Sequence, residues 1–67
     1  MPCVIIDGIK TDIDTFYTFT KDGTKFTVSF TYFGCSVEAK NPMWGKSSRA
    51  IFKGMKISVE NVAFQWI

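Results

Sequence analysis

No histidine occurs among the 67 residues. Its absence removes Ser-His and Cys-His nucleophile pairs, imidazole acid–base catalysis and every zinc site that needs an imidazole ligand. Cysteine is almost as scarce: Cys3 and Cys35 are too few for an all-cysteine zinc site or for a disulfide-dense scaffold. Both are expected as reduced thiols that pack in the core or face each other on neighbouring strands. Long apolar runs are missing too. The opening Met1-Pro2-Cys3-Val4-Ile5-Ile6-Asp7 lacks a basic segment, and its apolar stretch ends at Ile6, short of the roughly 7 to 15 residues of a signal-peptide core. No window approaches the roughly 20 apolar residues of a membrane span. These absences point to a cytoplasmic chain with no membrane partner.

Carboxylates, lysines and two thiols are what remains for catalysis, and they form no recognisable acid–base pair. Asp12 and Asp14, with Asp7 nearby, lack the spaced oxygens, turn glycine and final glutamate of a calcium loop, and are read as exposed strand residues. Gly45-Lys46-Ser47 resembles the end of a phosphate-binding loop, but position 40 is Lys where that loop needs glycine. A non-enzymatic protein without cofactor or metal is the expectation.

What is present is apolar and aromatic material: 46% hydrophobic residues, with seven Phe, two Tyr and two Trp. A chain this short buries only about 60% of its unfolded surface and has room for a single domain, here residues 1–67. Its core cannot hide every ring, so a homo-oligomer or a partner surface is expected from composition alone.

Period-two alternation dominates. Between Lys25 and Phe33, Phe26, Val28, Phe30 and Tyr32 fall on one face and Thr27, Ser29 and Thr31 on the other. Strands 15–20 and 25–33 should pair antiparallel across Asp22-Gly23, a pair suited to the positive φ angles of a tight hairpin. Asp7-Gly8 marks either a second hairpin or a bulge. After a short strand at 35–39, residues 40–48 read as the longest loop, because Pro42 lacks a ladder donor. Ser48 to Gly54 fits one or two helical turns or, preferably, a strand over 49–53. In the tail, Met55, Ile57 and Val59 alternate until Glu60-Asn61, where a bulge or turn shifts the phase to Val62, Phe64 and Trp66. The fold expected is all-β: a small antiparallel barrel or compact sandwich of five to seven short strands, with at most one helical turn near 48–54.

Charge is uneven. Lys40, Lys46, Arg49, Lys53 and Lys56 fall in a window without any acidic residue, inside a chain of net charge +2. With Trp44 and Phe52 among them, they have the makings of a phosphate-tracking surface with a stacking ring. The plainer reading is a solvated face whose lysines deter edge pairing. Phe33, Trp66 and Ile67 are candidate interface residues, the terminal run either closing the barrel or contacting another subunit.

In length, all-β pattern and basic–aromatic mix the chain is similar to the cold-shock and other OB-like single-strand binders. Their Lys-Gly-Phe-Gly-Phe type of segment has no counterpart here, the stretch Gly23-Thr24-Lys25-Phe26-Thr27-Val28 being generic. Two functions are therefore carried forward. One is an anion-binding domain for single-stranded nucleic acid or a nucleotide, using Lys40, Trp44, Lys46, Arg49, Lys53 and Lys56. The other is a small protein-binding regulator or inhibitor, of the kind phage and mobile elements carry, docking through exposed aromatics.

Overall fold

In the computed structural model, which describes residues 2–67, three of the turns follow directly from turn chemistry. Asp7-Gly8 (φ 48° and 82°), Asp22-Gly23 (51° and 78°) and Glu60-Asn61 (49° and 67°) each place both residues at positive φ. That geometry matches the right-handed twist of the strands on either side and makes a two-residue hairpin turn. Asp7-Gly8 is thus a hairpin rather than a bulge, and Glu60-Asn61 is a turn.

Eight strands result: β1 Cys3–Ile6, β2 Ile9–Asp12, β3 Phe16–Lys21, β4 Thr24–Thr31, β5 Gly34–Asn41, β6 Gly45–Ile51, β7 Lys56–Val59 and β8 Val62–Trp66. They form two four-stranded sheets, ordered β2-β1-β8-β7 and β3-β4-β5-β6. The second, the meander sheet, is continuous in sequence. The first is closed by β1 pairing antiparallel with β8, so both ends of the sequence build it. The fold is all-β and a sandwich; the sheets do not join into a barrel.

The core lies between the sheets. Val4 and Ile6 of β1, Ile57 and Val59 of β7, and Val62 and Phe64 of β8 meet Phe26 and Val28 of β4, Cys35, Val37 and Ala39 of β5, and Ile51. Phe26 is its centre, stacked on Phe19 at 5.0 Å between centroids and tilted against Phe64 at 5.9 Å. Burial pushes the Cys35 thiol up to about 11, so it behaves as a small core hydrophobe.

Several local expectations are corrected. Among the described residues there are eight strands, not five to seven, because the presumed loop at 40–48 is a hairpin: β5 runs on to Asn41 and β6 begins at Gly45. Pro42 sits in the turn itself, where no ladder donor is needed. No helical turn forms at 48–54; Ser48 to Ile51 belong to β6, whose ladder to β5 satisfies the backbone. That strand ends at Ile51 rather than Lys53. The strand from position 25 ends at Thr31, and Tyr32 and Phe33 form the β4–β5 turn. Tyr32, expected to face the core, is 98% exposed as a result.

Candidate functional site

The register of the meander sheet determines which side chains share its outer face. Val37 and Ala39 point into the core, so their neighbours on β5 point outward, and directly paired residues share a face. One row across the sheet is Thr20, Lys25, Lys40 and Lys46. The next is Thr18, Thr27, Glu38 and Ser48, and the third is Phe16, Ser29, Ser36 and Ala50. The outer face is therefore a row of three lysines above a field of hydroxyls interrupted by Glu38, with one exposed ring, Phe16, at the corner.

Three cations side by side are electrostatically unfavourable. Strands lie about 4.8 Å apart, which puts the Lys25 and Lys46 backbones roughly 10 Å from each other with Lys40 between them. Like charges directly opposite destabilise a strand pair, and here two successive pairs carry them. Glu38 offers one carboxylate oxygen to Lys46 at 3.5 Å in a solvent-exposed ion pair, which offsets little of the repulsion. The hydroxyls below are partly paired among themselves, Thr18 with Thr27 at 3.4 Å and Ser29 with Ser36 at 3.1 Å.

The β5–β6 turn brings Trp44 to the lysine end. Asn41 fixes this turn: its Oδ1 accepts from Met43 N at 2.8 Å, while its Nδ2 donates to the buried Thr24 hydroxyl at 2.9 Å. The turn is thereby tied to the base of β4. Gly23, Lys25, Lys40 and Pro42 line an open hollow of about 390 Å³ beside it, and Trp44 is 44% exposed.

The six residues expected to bind a ligand are divided. Lys40 and Lys46 share the outer face, with Trp44 at its end. Arg49 pairs with Val37 and lies on the other side of β6. Lys53 follows β6 and lines a separate hollow with Cys3, Lys10, Asp12 and Trp66. Lys56 pairs with Gln65 on the outside of the other sheet, at the far face of the sandwich. Lys25, Phe16 and the hydroxyl rows were missed. Lys25 lies 15 positions before Lys40, and only the two-residue turn at Tyr32-Phe33 brings them opposite each other.

Of the interface candidates, Phe33 is 94% exposed and meets Tyr32 edge-on at 5.5 Å. Trp66 packs edge-on against Phe30 at 5.2 Å and covers Gly34, closing this chain's own sandwich. Ile67 is exposed, with its N–H bonded to the Cys3 carbonyl at 3.3 Å. No described helix is long and apolar enough to cross a membrane. Comparison with protein families, curated proteins and solved structures finds no match.

Proposed function

We propose that this chain binds single-stranded nucleic acid on the outer face of the meander sheet. The observation that carries this reading is the row Lys25–Lys40–Lys46, which Glu38 offsets only in part; the row costs stability in the free protein, and a polyanion neutralises it. Phosphates follow the lysines, the hydroxyls of Thr18, Thr27 and Ser48 meet sugar or base edges, and Trp44 or Phe16 offers a stacking surface. Arg49, Lys53 and Lys56 contribute only to the long-range field. A mononucleotide engages fewer of the lysines and binds correspondingly more weakly.

Fluorescence anisotropy of a labelled oligothymidylate tests the reading. Affinity should fall steeply between about 50 and 200 mM salt, as it does when phosphate contacts dominate. Replacing Lys25 and Lys46 together by glutamate should abolish binding, whereas Lys53→Glu with Lys56→Glu should weaken it only modestly. Equal losses from the two double variants would refute the assignment to this face.

A second reading rests on a different observation. Tyr32, Phe33 and Phe52 lie exposed toward the opposite end of the sheet, and exposed rings of this kind anchor protein partners. A complex that survives high salt and is lost in Phe33→Ala would favour a protein-binding regulator.

A further inference from the structure

We infer that two copies of this chain pair through their β3 edges into one continuous eight-stranded sheet, and that each copy thereby places its Phe16 in line with the other's lysine row. The edges differ in a way that selects β3. At the far edge, β6 carries Lys46 on one face and Arg49 on the other, both exposed, the charged guard that keeps sheet edges apart. Residues 15–20 of β3 and its approach, Thr15-Phe16-Tyr17-Thr18-Phe19-Thr20, carry no charge. Phe16 is 65% and Tyr17 40% exposed there, and Ile9 of β2 is exposed beside them. An aromatic, unpaired edge whose one charge, Lys21, sits at the strand end accepts another strand without bringing like charges together.

The occupant is a second copy because β3 complements itself. In an antiparallel pairing centred on Thr18, Tyr17 falls opposite the partner's Phe19 and Phe19 opposite the partner's Tyr17, two aromatic cross-strand pairs on the inner face. Those rings close over the hollow of about 330 Å³ that Ile9, Tyr17 and Phe19 line between β2 and β3. Lys21, already paired with Asp7 at 3.0 Å, ends β3 and falls opposite the partner's uncharged Thr15, so it keeps its ion pair. A shift by two residues leaves one aromatic pair in place of two: Phe19 opposite the partner's Phe19 with Tyr17 opposite the partner's Lys21 in one direction, or Tyr17 opposite the partner's Tyr17 in the other.

On the outer face, the same register sets Phe16 opposite the partner's Thr20, the residue that begins the row Thr20, Lys25, Lys40 and Lys46. The row then runs from an exposed ring of one copy across three lysines of the other, and occurs twice about the two-fold axis. Each row has a ring at one end supplied in trans and Trp44 beyond the other. The interface stands without any ligand; the composite row rests on the nucleic-acid reading.

Sedimentation equilibrium tests the interface. The wild type should have twice the 7.6 kDa of one chain. Thr18→Lys and Thr18→Glu, which set like charges against each other on the two-fold axis, should each be monomeric with an unchanged circular dichroism spectrum, and their equimolar mixture should recover the doubled mass. Isotope-filtered contacts between Tyr17 and the partner's Phe19 in wild-type protein check the register without any variant. A monomeric wild type, single Thr18 variants that stay dimeric, or missing filtered contacts would overturn the pairing. Phe16→Ala should leave the dimer intact and weaken oligothymidylate binding about tenfold; unchanged binding would overturn the trans ring. A dimer that binds no oligonucleotide would retain the interface and refute the ligand reading.

Discussion

At Asp7 a single side chain joins parts of the fold distant in sequence. Its Oδ1 accepts the Ala63 N–H at 2.8 Å, its Oδ2 accepts Lys21 Nζ at 3.0 Å, and its own N–H donates to the Ala63 carbonyl at 2.8 Å. The Ala63 N–H, then Lys21, holds the carboxyl below its usual range. Because the folded value lies below the unfolded one, the stability Asp7 adds is complete above the unfolded carboxylate range and is lost as pH falls through the folded value. The difference in urea midpoint between wild type and Asp7→Asn should therefore shrink from about pH 6 to about pH 2. In the core, Phe64 is fully buried and meets both Phe19 and Phe26. Phe64→Ala should cost about 3 to 5 kcal/mol, as much as a core of this size supplies, and leave the chain unfolded by circular dichroism.

Single hairpins are the scale at which the sequence is most legible. Asp22-Gly23 announces the β3–β4 pairing because few residues other than Asn, Asp and Gly tolerate two positive φ angles in succession. Alternation likewise assigns Phe26 and Val28 to the core and Thr27 and Ser29 to the outside. What failed was reading punctuation as loop. Pro42 and Gly45 bracket a tight turn, and β6 is exposed on both sides from Gly45 to Ala50, so no apolar alternation reveals it. The candidate face stayed hidden for a related reason. Strand register depends on turn length, and the Tyr32-Phe33 turn carries rings where Gly or Asn would be expected, so Lys25 could not be set against Lys40. The β7–β8 turn offers a direct test of the turn chemistry. Glu60 and Asn61 both have positive φ, so replacing them by Asn-Gly should stabilise the fold by about 1 kcal/mol in urea titrations.

For the whole molecule, both sheets build the core, and the meander sheet also presents a basic, hydroxyl-rich outer face. If that face is built for a polyanion, its charge arrangement should oppose stability. Lys40, flanked by a lysine on either side, is the most direct case. Lys40→Thr should raise stability by about 0.2 to 1 kcal/mol at low salt while weakening oligonucleotide binding. The most direct measurement of the central claim is a nitrogen-15 NMR titration of the full chain with an oligothymidylate at low salt. The largest shifts should fall on Lys25, Thr27, Lys40, Trp44, Lys46 and Ser48, with little change at Ser58, Ala63 or Gln65 on the outside of the opposite sheet. Shifts confined to that opposite sheet or to Tyr32, Phe33 and Phe52, or none at saturating oligonucleotide, would contradict it.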